Sequence, residues 1–409
     1  MIEYLKTLFR AHYRGISLEK MIPSNFPNRE LAFVLWNKKG MFRHQGFIEE
    51  KDYKDTLIKQ VPRHVYYSAG LYNSPWRDKM EEKDYIGCDL VFDIDCDHID
   101  TSCKEDHDTW TCTNCGKKGK GTPPKECKCG GSKFKEKNWL CDVCLEKSKT
   151  ETMKLIDSFL TSDFGMNSDS ITVFFSGHRG YHVHLEDESY RNLSSEERRE
   201  ISDYITATGI KLSTIGDIGF DLSNTSTRGF TSSDTGWRGK ITKNLEILLD
   251  QVKKSPEKIS LDKNIIDLLD KNHDELKDRI DKESRNWTIK GIGEGKWNRI
   301  LDYLVLQARC EIDVPVTIDT HRLIRAPESL HGKTGFKVCK IDKENLAQFD
   351  PFSDPVVFKG NKEKIKALDD VPEFRIGDNR FGKYEKDQEI ELPLEAAVFL
   401  LCRNMGVLI

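Results

Sequence analysis

Two aspartates, Asp93 and Asp95, stand two residues apart at the end of an apolar run, DLVFDID. A run of this composition reads as a β-strand, where residues i and i+2 share a face, so both carboxylates point one way while Phe92 and Ile94 point the other. Like charges so close repel. Holding both ionised at a partly desolvated strand end requires a cation or a protonated partner. Mg2+ or Mn2+ suits such hard oxygen ligands, and pairs of this kind occur where phosphates are moved. The bland alternative is two solvated aspartates at a strand terminus, because so short a motif recurs by chance. A third acid is available at Asp313 in ARCEIDVPVT, and spacing leaves Glu311 and Asp319 equally available.

Two basic clusters could serve a polyphosphate. In SGHRGYHVH, two glycines permit a tight turn, and Ser176, His178, Arg179 and His182 offer donors for phosphate oxygens. A second set, Arg322, Arg325, His331 and Lys333, follows the third acid in THRLIRAPESLHGKTG. Singly, each such side chain is more often an exposed or packing residue. Together, beside the acids, they make a pattern of acids to hold metal next to bases to hold phosphate.

Eight of the twelve cysteines lie between Cys96 and Cys144. Cys112-x2-Cys115 with Cys127-x-Cys129 has the paired knuckles of a four-thiolate zinc ribbon, with glycines 116, 130 and 131 turning behind the thiolates. Cys141-x2-Cys144 needs partners, for which Cys103 with Cys96, His98 or His107 are the candidates, so eight thiols would be shared between two structural ions. Free buried thiols are the alternative, but so apolar-poor a segment has little core to hide them. Cys88, Cys310, Cys339 and Cys402 read as ordinary buried thiols.

These groups need a scaffold. Short alternating runs at 31–36, 41–47 and 65–68 read as strands, as do DLVFDID and the hairpin ITVFFSG–YHVHL. Helices are expected at 3–13 and 145–164, at KWNRILDYLVLQARC, and in LPLEAAVFLLCRNMG, the last buried. The fold class is therefore mixed α/β. Its 409 residues suffice for one large core, at 1–195 and 296–409, with a zinc-binding insertion at 96–145 and a mainly helical insertion at 196–295. Charged residues form 32% and apolar ones 37% of the chain, a globular rather than a membrane balance. With a net charge of −4, any grip on nucleic acid must come from local patches, such as residues 103–149 with eleven lysines against seven acids. No spanning stretch or secretory signal is legible, so cytoplasm is the expected compartment.

VFDID, SGHRGYH and IDVPVT…HRLIRAPESLHGKTG, in this order with a Cys-rich finger after the first, resemble the small, catalytic subunit of archaeal and eukaryotic DNA primases. The likeness runs from NRELAFVLW to LPLEAAVFLLCR and is weakest over the helical insertion. It implies a primase-type catalytic core without an iron–sulfur cluster, and a DNA-directed nucleotidyltransferase acting in replication. Short RNA primers, and in some cases DNA, would be synthesised on single-stranded DNA from nucleoside triphosphates, with a primase large subunit as partner. The resemblance assigns two catalytic Mg2+ or Mn2+ ions to Asp93, Asp95 and Asp313, and the triphosphate to Ser176, Arg179, His182, Arg325 and His331. Zinc-binding cysteines are typical of the family at the finger, here Cys103, Cys112, Cys115, Cys127, Cys129, Cys141 and Cys144, for one or two ions. One departure is His178, where the family usually has the first of two arginines. A related primase-polymerase that extends primers or repairs ends is the alternative function. A non-catalytic zinc-ribbon binder or a metal-dependent nuclease explains fewer of these residues.

Overall fold

The strand His64–Tyr72 is almost wholly buried because it is paired along both edges. Arg29–Val34 lies on one side; Leu323–Arg325 and Tyr85–Cys88 share the other, and all three pairings are antiparallel. Phe42–Gln45 extends this sheet to an edge. The computed structural model describes residues 1–210 and 228–409.

A second antiparallel sheet has the order Cys339–Ile341, Ile171–Phe175, Gly180–Leu185, Leu90–Asp95. Alternation sets its register: Leu90, Phe92 and Ile94 are buried, while Asp93 and Asp95 keep some exposure. The Tyr67 hydroxyl and His184 Nδ1, 3.0 Å apart and buried, tie the two sheets together.

Around them, the helix Ile2–Gly15 buries Leu5, Phe9 and Tyr13, a four-residue repeat along one face. The helix Leu394–Cys402 buries every residue from Ala396 onward. A helix apolar on all sides has no face to give to water, and this one packs Phe399 against Phe336 and Phe374. A small sheet of Lys362–Ala367, Glu389–Pro393 and Gly406–Leu408 completes the unit, and the sequence reading missed it.

This first unit comprises Met1–Met153, Asn167–Arg199 and Ile312–Ile409. The second comprises Lys154–Met166 and Glu200–Glu311. In it the helix Gly236–Lys254 buries Ile241, Leu245, Leu248, Leu249 and Val252 in a cluster with Ile265, Leu269, Ile300 and Leu304. Trp287 and Trp297 stack within that cluster, ring centroids 5.7 Å apart. Residues 211–227 of the expected helical insertion lie outside the described residues.

Two expectations need correcting. The helix KWNRILDYLVLQARC, observed as Glu294–Ala308, belongs to the second unit and not to the core, because Trp297, Ile300, Leu301 and Leu304 spend their apolar face on that unit's cluster. The helix expected at 145–164 is α-helical from Asp142 to Lys154 and then widens to a π-helix over Leu155–Thr161. Among the described residues no helix is long and apolar enough to cross a membrane.

Candidate active site and metal centres

Antiparallel register brings the first acids to their basic neighbours. His182 lies opposite Asp93 and Gly180 opposite Asp95, so the imidazole and the carboxylates share one face of the sheet. His182 Nε2 lies 3.5 Å from Asp93 Oδ1. Gly180 has to be glycine: a Cβ there would stand 2.0 Å from the Ile94 carbonyl oxygen. Gly177, at φ +75°, makes the left-handed step of the hairpin turn.

Asp313 arrives from elsewhere in the chain. Its main-chain N–H donates to the Asp93 carbonyl at 2.8 Å, fixing it to the carboxylate strand just before the short helix Val314–Ile318. Burial, then the charges of Asp95 and Asp313, push the Asp93 carboxyl up to about 7, and Arg322 and Arg325 only partly offset this. The charges of Asp95 and Asp313 thus bear on a buried Asp93 carboxyl whose ionised form is disfavoured. The competitors by spacing are engaged elsewhere: Glu311, in the second unit, pairs with Arg309 at 2.5 Å, and Asp319 Oδ1 accepts the His321 N–H at 2.9 Å.

A cleft of about 210 Å3 opens over this face. Asp93, Asp95, Ser176, Arg179, His182, Arg325 and His331, all singled out in the sequence, line it together; Asp313 is not among its lining residues. Ser176 Oγ accepts the Gly180 N–H at 3.3 Å, closing the turn. Arg179 pairs with Asp97 through Nη1, and its Nε lies 3.6 Å from Asp95 Oδ1, an ion-pair contact too long for a hydrogen bond.

Arg325 is held as a fork. Nη1 donates to His64 Nδ1 at 2.6 Å and Nη2 to His331 Nε2 at 2.9 Å, with the guanidinium 4.6 Å over the Tyr66 ring. His331 in turn stacks on His178, centroids 4.5 Å apart and rings within 5° of parallel. The position where the resembled family usually has arginine is therefore a buried aromatic plate. His64, Tyr66 and Asp97 escaped the sequence reading. His64 and Tyr66 lie more than 250 residues from Arg325, and no motif spacing could link them.

The imidazoles carry a pH consequence. His64, His178, His184 and His331 hold protons far more weakly than an ordinary histidine, first because they are buried; for His64, His178 and His331, Arg325 adds to this. The unfolded chain protonates them below about pH 6.5 while the folded chain does not, so their contribution is present above that pH and lost as pH falls. Each costs up to ~1.4 kcal/mol per pH unit. Asp93, Asp97 and His107, whose folded forms hold protons more tightly, act in the opposite sense and offset part of this. The urea midpoint should fall between pH 7.5 and 5.5, with the four rings still uncharged by 15N NMR at pH 5.5. Charged rings in the folded protein at that pH contradict the assignment.

The finger gathers two groups of residues that could each hold a metal ion. Cys112, Cys115, Cys127 and Cys129 form one; Cys103, His107, Cys141 and Cys144 form the other, each with ligand atoms within 4.8 Å of one another. The S···S separations are 3.7 Å for Cys112–Cys129 and Cys115–Cys127, and 3.3 and 3.5 Å from Cys103 to Cys144 and Cys141. A disulfide would need about 2.05 Å. A zinc ion with Zn–S bonds of about 2.3 Å spaces tetrahedral thiolates about 3.8 Å apart, so both groups fit one ion each. Asp108 Oδ1 lies 2.7 Å from His107 Nδ1, a carboxylate turning Nε2 toward Cys144, 3.6 Å away.

The expected partition of eight thiols is thereby corrected to seven thiols and one imidazole, since the short helix Lys104–His107 carries His107, rather than Cys96, into the second group. His107→Ala should halve the zinc content measured by atomic absorption, whereas Cys96→Ser should leave it unchanged. The opposite result would restore the thiol-only partition. Cys88, Cys310, Cys339 and Cys402 are buried, as their settings suggested.

The chain thus sets a cleft of acids beside arginine and histidine, and carries a finger with two groups of residues able to hold a metal. Comparison with known proteins makes this specific. The family model described as DNA primase small subunit matches residues 131–341. "DNA primase small subunit PriS" of Methanothrix thermoacetophila is 34% identical, over 98% of both chains. The proteins of the same name from Methanococcoides burtonii and Nitrosopumilus maritimus are 32% and 29% identical, over 98% and 100% of this chain and 97% and 98% of theirs. The chain belongs to the DNA primase small subunit family.

Proposed function

We propose that the chain is the catalytic subunit of a primase that starts short primers on single-stranded DNA by two-metal nucleotidyl transfer. The observation that carries this reading is Asp93, whose carboxyl is driven toward neutrality by burial and by Asp95 and Asp313, an environment that a divalent cation relieves. Two Mg2+ or Mn2+ ions bound to Asp93, Asp95 and Asp313 would make a primer 3'-hydroxyl more acidic and screen the incoming triphosphate. Arg325, braced by His64 and His331, presents a fixed cation to the β and γ oxygens. Arg179 and Ser176 border the same cleft. His182, whose proton affinity is lowered to about 3, offers a neutral N–H. The two finger centres take structural zinc, since four protein ligands leave no open position for chemistry. Ribonucleotides, with deoxynucleotides as a second substrate, and a primase large subunit as partner complete the reading.

The test is the purified chain with unprimed single-stranded template, labelled nucleotide and Mg2+ or Mn2+. Short products are expected. Extension of a supplied primer without any unprimed product favours the primase-polymerase alternative, and no incorporation in either assay overturns the enzymatic reading.

A further inference from the structure

The zinc ribbon has two unlike faces. Its sheet consists of Thr109–Cys112 flanked by Lys118–Lys120 and Phe134–Lys137. Thr109 pairs with Lys120 and Lys137, and Thr111 with Lys118 and Lys135. Directly opposed residues share a face, so Thr109, Thr111, Lys118, Lys120, Lys135 and Lys137 all project from one side. Trp110, Cys112 and Phe134 project from the other and form the ribbon's small core with Cys127. Trp110 lies so close over Gly119 that a Cβ there would meet the indole at 2.2 Å, which settles which face is inward.

The outward face is thus two rows, each a threonine between two lysines, and all four lysines are exposed. Rows lie about 7 Å apart along the strands, and lysines within a row about 10 Å apart across them. Asp369 pairs with Lys137 at 2.6 Å. The chain carries a net charge of −4, so this is a local reversal of sign.

We propose that this lysine face is a second binding surface for single-stranded nucleic acid, gripping its phosphate backbone without reading sequence. The inference rests on the primase reading for its choice of polyanion. The face offers phosphate-binding cations and hydroxyls but no aromatic platform for bases, which makes it indifferent to sequence. A protein partner fits it poorly: its strand positions carry no apolar anchor, and lysine is the residue that protein interfaces deplete. The metal centre of Cys112, Cys115, Cys127 and Cys129 would hold the three strands flat enough to keep the rows aligned.

The test uses the full chain and a fluorescein-labelled oligothymidylate, with affinity followed by anisotropy from ~50 to ~200 mM salt. Replacing Lys118, Lys120, Lys135 and Lys137 together by Gln should weaken binding at least tenfold at the lowest salt. The salt slope should fall by about 2–3, at about 0.7 for each phosphate no longer neutralised. The corresponding four-Arg variant should bind as the wild type does. Formaldehyde cross-linking of the wild-type protein should label peptides spanning 118–120 and 134–137, an observation independent of whether any variant keeps its zinc. Wild-type affinity and slope in the Gln variant, absence of those cross-links, or tighter binding of oligoglutamate than of oligothymidylate would each overturn the proposal. Binding is read without turnover, so such a result leaves the catalytic reading standing. Incorporation surviving in an Asp93→Asn protein would remove that reading while leaving this face untouched.

Discussion

Asp93→Asn should reduce nucleotide incorporation by at least ~10^3-fold, the scale of losing several kcal/mol of charge stabilisation in the transition state. The same variant should be no less stable than the wild type. In the metal-free protein above pH 7 the ionised Asp93 is an under-compensated charge, pressed by burial and by Asp95 and Asp313 and only partly offset by Arg322 and Arg325. An amide of the same shape removes that repulsion, so the melting temperature at pH 8 should rise, by about 2–4 °C for each kcal/mol relieved. Loss of activity with gain of stability separates a functional acid from a structural one. A variant that loses activity and also melts well below the wild type would mean that Asp93 serves the fold.

Arg325 should show the next largest effect. Its fork makes two hydrogen bonds to neutral imidazole nitrogens, at 2.6 and 2.9 Å, which orient it without neutralising it. Arg325→Lys keeps a positive charge but cannot span His64 and His331, because an ammonium is a single point of charge on a flexible stem. A charge-assisted contact to phosphate is worth about 1.5–3 kcal/mol, so KM for the nucleotide should rise about 10–100-fold, with kcat changing less. Steady-state kinetics on a primed template reads the split. A fall in kcat at unchanged KM would instead place Arg325 on the transition state alone.

Much of this was legible in the chain before any fold was seen, and for local reasons. D-x-D on a strand and the S-G-H-R-G-Y-H turn are motifs whose residues sit within a few positions of one another, so their geometry follows from strand alternation and one hairpin. Asp313 was legible only through family likeness. Nothing in its spacing separates it from Glu311 or Asp319, and what ties it to the carboxylate strand is a main-chain hydrogen bond to Asp93. His64 and Tyr66 were invisible for a related reason: they reach Arg325 by strand pairing across more than 250 residues. His107 was one of four candidates, chosen by a one-turn helix and the carboxylate of Asp108. The ends of the second unit were misjudged because Glu294–Ala308 reads equally well as a helix of either unit. Only the side to which Trp297 and Leu304 give their apolar face decides the matter.

The most direct measurement is diffraction from crystals grown with Mn2+ and a non-hydrolysable nucleoside triphosphate, using the anomalous signal of manganese to place the ions. Two peaks are expected about 3.5–4 Å apart, coordinated by Asp93, Asp95 and Asp313, with the triphosphate running toward Arg325. Manganese bound elsewhere, or a triphosphate seated away from these three carboxylates, would contradict the account.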